Sequence, residues 1–201
     1  MDAFNLLKAD HRKVEELFSQ LESASGQAKM RVFEQIKTEL ELHTHIEETI
    51  FYPALEKPKQ THDLTLEAYE EHDVVKKLLR ELSRAKTPNE EWEAKAKVLQ
   101  ENVEHHVEEE ENELFEKAEA ALSEEQIEAL GEQMATEKNR KQRGATKSSS
   151  KKKSASANKS ASKTKSASTA AKRARTSKKS GSKSSSKSSG SKRSKKSAKK
   201  R

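Results

Sequence analysis

The chain's 201 residues include no cysteine, which excludes disulfides and thiolate metal ligands and fits a reducing compartment. The net charge of +7 hides a division: residues 1–140 hold all 34 acidic residues and 18 of the 41 basic ones, a balance of −16, while residues 141–201 hold the other 23 basic residues and no acid. An acidic body of ordinary single-domain size with a basic interaction tail is expected. No apolar run reaches the ~18 residues of a membrane helix, so no membrane partner is expected.

Residues 1–21 are amphipathic and charged throughout, without the basic start and apolar run of a secretory leader, so the chain reads as cytoplasmic. From there, apolar residues recur at helical steps of three and four. The first stripe is Phe4, Leu7, His11, Val14, Phe18 and Leu21, and Ser25-Gly26 ends it. The second is Phe33, Ile36, Leu40, His43, Glu47, Ile50 and Ala54, ended or bent by Pro53 and Pro58. The third is Ala68, His72, Val75, Leu79 and Leu82. Thr87-Pro88-Asn89-Glu90 then reads as a helix start, with Thr87 as cap, proline at the first helical position and Glu90 completing a capping box. The fourth stripe is Trp92, Ala96, Leu99, Val103, His106, Glu110 and Leu114.

Ser123-Glu124-Glu125-Gln126 is a second capping box and opens a short fifth helix within residues 121–140, through Ile127, Leu130 and Met134. No segment alternates with the two-residue period of a strand. Short connections between long helices predict an all-α, antiparallel up-and-down four-helix bundle over residues 1–120. Residues 141–201 are chiefly Lys, Ser and Ala, without one Val, Ile, Leu, Met or aromatic residue. Such a segment buries too little apolar surface to offset its ordering entropy, so disorder is expected of it when free.

Four histidines, His11, His43, His72 and His106, therefore occupy core positions, one per helix, and Glu47 and Glu110 follow two of them at i+4 on the same face. Distances from the shared turns place the four imidazoles within about one helical turn of a common layer, at ~1.5 Å rise per residue. A buried carboxylate is costly without a partner. The set predicts a pair of metal ions bridged by carboxylates. Imidazole and carboxylate without sulfur suit iron, manganese or zinc. His45 is expected to face outward and His62 to be solvated. His105 stands as a flanking group or an alternative ligand. Glu48, Glu108, Glu109 and Glu111 read as an acidic solvated face, with Glu109 also placed to deliver cations.

The second-helix run His43-Thr44-His45-Ile46-Glu47-Glu48-Thr49-Ile50-Phe51-Tyr52-Pro53 and the fourth-helix run Glu104-His105-His106-Val107-Glu108-Glu109-Glu110-Glu111-Asn112-Glu113-Leu114-Phe115 resemble the repeated motifs of the hemerythrin family, in particular its bacterial HHE cation-binding domains. Asp10-His11 and Glu71-His72-Asp73 resemble the single-histidine motifs of its first and third helices. The resemblance covers residues 1–120 and implies a non-haem di-iron centre with His11, His43, Glu47, His72, His106 and Glu110 as ligands. Oxygen-carrying members have a further histidine one turn after the third-helix one. Here that position is Lys76, which counts against reversible oxygen carriage. It leaves iron handling, peroxide or nitric oxide chemistry, or redox sensing. Lys76 itself either approaches the site or extends to the surface.

The tail resembles the Lys/Ser/Ala-rich C-terminal segments of linker histones. A segment with 23 positive charges and no acid is expected to bind nucleic acid through phosphates, without sequence specificity and with strong salt dependence. The rival partner is an acidic protein surface, including the chain's own body. Three functions stay open: a di-iron protein handling iron, O2, peroxide or NO near the nucleoid; a di-iron oxidase or peroxide-decomposing enzyme; and a nucleoid-associated architectural protein with a structural metal.

Overall fold

A computed structural model describes residues 1–165, with side chains described for residues 1–144. Among these residues there are helices and no strands. Helix α1 (Ala3–Ser23) is capped by Asp2, whose carboxylate accepts from the Asn5 backbone N–H at 2.8 Å. Gly26, at φ +53°, opens α2 (Gly26–Ile46); a left-handed residue after so tight a turn favours glycine. A five-residue π turn (Glu47–Phe51) and the short α3 (Tyr52–Leu55) extend α2. Helix α4 (Lys59–Leu82) and α5 (Glu90–Glu109) form the second hairpin, and α5 is likewise extended by a π turn (Glu110–Leu114) and by α6 (Phe115–Ala121). Hairpins α1–α2 and α4–α5 pack together as the expected antiparallel four-helix bundle.

Three details differ from the sequence reading. The cap of α5 is Asn89, not Thr87: the Asn89 side chain accepts from the Trp92 N–H at 2.8 Å, and the helix starts at Glu90, two residues later than read. In α2 the core stripe does not continue through Ile50 and Ala54. The π turn inserts one residue, so Phe51, Tyr52 and Leu55 are buried instead. The fifth helix opens at the reciprocal box of Ser123 and Gln126 but is longer than expected, because α7 runs from Glu124 to Lys165. That stretch contains no proline, and its Ala and Lys are good helix formers. The disorder expected of the tail concerns residues 166–201 otherwise, and these lie outside the described residues.

Two apolar clusters divide the bundle. One, around Phe18, Phe33, Ile36, Leu79, Trp92 and Leu99, fills the end near the hairpin turns. The other, around Leu7, Ile46, Phe51, Tyr52, Leu55 and Phe115, fills the opposite end. Helix α7 closes the second cluster with Ile127 and Met134. Its Gly131 lies against the start of α1: a Cβ there would stand 2.5 Å from the carbonyl carbon of Asp2. Between the clusters lies a layer of buried polar side chains.

Candidate metal centre

All six side chains singled out in the sequence meet in that layer. Each of His11, His43, His72, His106, Glu47 and Glu110 is at most 6% exposed. The imidazoles form two pairs, with His11 Nε2 3.1 Å from His43 Nε2 and His72 Nε2 3.2 Å from His106 Nε2. Glu47 lies between the pairs: Oε1 is 3.2 Å from His43 Nε2 and Oε2 is 3.3 Å from His72 Nε2. Glu110 Oε2 is 3.3 Å from His11 Nε2. The donor atoms of His11, His43, Glu47 and Glu110 lie within 4.8 Å of one another, as do those of Glu47, His72 and His106.

The opposite ring nitrogens explain what these atoms need. His11 Nδ1–H donates to Glu111 Oε1 at 2.7 Å, His72 Nδ1–H to Glu48 Oε1 at 2.9 Å, and His106 Nδ1–H to Glu71 Oε2 at 2.7 Å. His43 Nδ1 faces Asp10 Oδ2 at 3.8 Å. A carboxylate only accepts, so each bonded Nδ1 carries the proton and each Nε2 turns a lone pair inward. Lone pairs then confront one another and the carboxylates. Both oxygens of Glu47 and Oε2 of Glu110 have no hydrogen-bond partner. Acceptors packed against acceptors in a buried layer fit a positive charge among them and are costly without one. The same demand appears in the acid–base behaviour. Burial and then the Glu110 charge push the Glu47 carboxyl well up. Burial lowers His11, but its contact with Glu110 and the charges of Glu110 and Glu47 outweigh that and raise it to about 9. Burial, without an equal compensation, takes His43 down to about 4. Glu110 sits at about 2, its burial overcome by His11 and the surrounding imidazoles.

Local sequence repeats this arrangement with an exchange between hairpins. The acid just before a histidine on α1 or α4 (Asp10, Glu71) faces the histidine of its own hairpin partner, His43 or His106. The acid just after each inner glutamate (Glu48, Glu111) crosses to the other hairpin and holds His72 or His11. Both π turns begin at the inner glutamate and close when Tyr52 N–H bonds Glu47 O and Phe115 N–H bonds Glu110 O. In an α-helix positions i and i+5 diverge by ~140°, whereas a π turn stacks them. It thus brings Tyr52 and Phe115 onto the inward face below the glutamates. Tyr52 crosses to His72, with its hydroxyl 3.3 Å from His72 Nε2 and donating to Glu110 Oε1 at 3.3 Å. Phe115 stacks on His11 with ring centroids 6.3 Å apart.

The outer positions correct several expectations. Glu48 and Glu111 are half-buried partners of the histidines and not a solvated face. His45 is half-buried and pairs with Glu137 of α7 at 2.8 Å. Lys76 neither reaches the inner layer nor extends freely to solvent; it pairs with Glu48, the carboxylate that orients His72. His62 is at the surface, bonded to the Glu56 carbonyl, and His105 is exposed beside Glu71 and Glu109. Lys138 of α7 pairs with Asp10. Tyr52, Lys138 and the orienting roles of Asp10, Glu48, Glu71 and Glu111 were not singled out from sequence. The recurring acids at −1 of His11 and His72 and at +5 of His43 and His106 were the available signal.

Fold and site define a four-helix-bundle cation-binding protein with histidine and carboxylate donors. Residues 2–118 match the hemerythrin family described as "Hemerythrin HHE cation binding domain", and the chain belongs to that family. It is similar to a solved hemerythrin HHE cation-binding domain-containing protein from Mycobacterium kansasii, with a TM-score of 0.61 and 25% identity over 70% of this chain and 86% of that one. A curated relative from Nostoc sp. PCC 7120, named "DNA nickase", is 32% identical over 138 residues, or 68% of this chain. The chain spans 38% of that relative's length. Among the described residues no helix is long and apolar enough to cross a membrane.

Proposed function

We propose that the protein is a non-haem di-iron protein that handles iron, O2, peroxide or NO, held near nucleic acid by its basic C-terminal segment. The observation that carries the di-iron reading is Glu47, whose two oxygens face two separate imidazole pairs. His11 and His43 with Glu47 and Glu110 would hold one ion; His72 and His106 with Glu47 would hold the other. Bound iron would supply redox chemistry and a seat for a small ligand, and the protein's part is to fix lone pairs inward through Glu48, Glu71, Glu111 and Asp10. Manganese or zinc suits the same donors. Nucleic acid as a partner is supported by the 23 positive charges of residues 141–201 and by the name of the Nostoc relative. Metal analysis after iron-replete purification should give about two ions per chain, and the optical spectrum should change with O2 or azide. Less than one iron per chain, unaltered in His43→Ala or His106→Ala, would refute the reading. Residues 141–201 should confer salt-dependent DNA binding that their removal abolishes.

A second reading, an oxidase or peroxide-decomposing enzyme, is favoured by the poorer donor set at the His72–His106 position: three groups there against four at the other, with the Tyr52 hydroxyl beside it. An open position admits substrate. Steady peroxide turnover lost in Glu47→Ala would support it over a binding role.

A further inference from the structure

The two halves of the centre are related by the hairpin repeat, but their outer walls are not alike. On the first hairpin, the residue before His43 is Leu42 and the residue before Glu47 is Ile46, both buried. Asp10, the acid facing His43, is covered by Lys138 of α7. On the second hairpin the corresponding residues are His105 before His106 and Glu109 before Glu110. Among the described residues no lysine pairs with Glu71, the counterpart of Asp10. One of its oxygens holds His106 Nδ1 at 2.7 Å and the other faces exposed His105 Nε2 at 3.9 Å. His105 Nε2 is also 3.5 Å from Glu109 Oε1. One imidazole nitrogen and two carboxylate oxygens thus lie within 4.8 Å of one another at the surface.

Behind this cluster is a cavity of about 10 Å³, room for one water-sized group. Glu71 and Glu109 line it with the inner residues His106 and Glu110. Glu110 is 2% exposed and its Oε2 has no hydrogen-bond partner but lies 3.3 Å from His11 Nε2, so the cavity ends on a carboxylate of the inner centre. Two carboxylates and an imidazole suit borderline divalent cations such as Fe2+, Mn2+, Co2+ or Zn2+.

We propose that Glu71, His105 and Glu109 form an outer divalent-cation site that delivers ions through this cavity to the inner histidine–glutamate centre. The proposal rests on the inner centre being a metal site, as argued above. Glu71 is the link, touching the outer histidine with one oxygen and an inner ligand with the other. Helix α7 and the apolar pair Leu42 and Ile46 close the equivalent route on the other side, so loading is one-sided.

The test uses the full chain, stripped of metal, and probes it with Co2+. Equilibrium dialysis with metal analysis should give two tightly held ions and one weaker ion. In H105A/E109Q the weaker ion disappears, the tight pair stays, and the rate of filling the inner site at limiting Co2+, followed by its visible absorption, falls at least about tenfold, as loss of a focused field implies. Glu108→Gln, which removes a charge from the same helix outside the cluster, should leave binding and rate as in the wild type. Equal stoichiometry and rate in H105A/E109Q and wild type would overturn the proposal and leave an ion pair only. An equal slowing in Glu108→Gln would overturn it in favour of diffuse charge. If the wild type holds no tight pair but keeps a single ion that H105A/E109Q loses, the inner-centre reading fails while the outer site stands.

Discussion

In the first hairpin, the acid beside the α1 histidine is Asp10, and α7 lies over it through Lys138. In the second, the equivalent acid is Glu71, and it faces an exposed histidine. Inside, the halves are nearly interchangeable: each gives two inward Nε2 atoms, one inner glutamate that starts a π turn, and one acid exported to the other half. The inner layer obeys a single electrostatic requirement, while the outer layer is free to differ. Coverage by α7, the Lys76–Glu48 pair and the hydroxyl of Tyr52 against the bare ring of Phe115 are where the two imidazole pairs acquire different surroundings.

The largest effect should come from the residue that belongs to both halves. Glu47→Ala removes oxygens facing both imidazole pairs and should empty both positions, whereas His43→Ala and His106→Ala should each keep about one ion, as read by metal analysis. Full retention in Glu47→Ala would break the assignment of a shared carboxylate. Metal removal should also lower stability sharply: at a free metal concentration a thousandfold above Kd, binding contributes ~4 kcal/mol, visible as a large drop in Tm on chelation.

Next come the exchanged acids. Glu111→Gln loosens His11 and Glu48→Gln loosens His72, so each should weaken metal at one position by ~10–100-fold, measured by competition with a chelator. Because Lys76 offsets the charge of Glu48, the two variants should differ; identical losses would show that the lysine has no influence on its side of the centre.

The metal-free protein should show an asymmetry in pH. His11 is raised to about 9 from 6.5, so the stability that its proton contributes is complete below pH 6.5 and is lost as pH rises through 9. Glu47, also raised, acts in the same direction. Thermal unfolding of the metal-free chain should therefore weaken between pH 6.5 and 9. The loaded protein should not follow, since the ion replaces that proton. Gly131→Ala should be more local. A Cβ against the backbone of Met1 to Ala3 would lift α7 from the first hairpin at a cost of ~1–3 kcal/mol, and hydrogen exchange should rise in α7 while α4 and α5 stay protected.

Much of this was legible because helical periodicity is a local signal. The stripes located the bundle, and polar residues on those stripes located the six inner side chains. The Ser123–Gln126 box likewise gave the start of α7. What escaped was whatever depended on a departure from 3.6 residues per turn or on a partner distant in sequence. Ile50 and Ala54 look like core until one π residue moves Phe51 and Leu55 there. Glu48 and Glu111 look solvated because their partners lie on the other hairpin, and Lys138 meets Asp10 across most of the folded body's sequence.

The smallest effect isolates the chemical difference between the two positions. Tyr52 and Phe115 occupy matching places after the π turns, and each ring lies against the α4 or α1 histidine of the other hairpin. Phe115 shows that the place accepts a phenyl ring, so Tyr52→Phe should fold and keep both ions. It removes a buried hydroxyl that donates to Glu110 Oε1 and sits 3.3 Å from His72 Nε2. The lost hydrogen bond should cost ~1 kcal/mol in Tm-derived stability. If a small anion binds at the His72–His106 position, the same hydroxyl is the nearest donor to it, and azide affinity should fall ~5-fold by optical titration. An unchanged azide affinity would place the open position at the His11–His43 side, where the stacked Phe115 offers no donor.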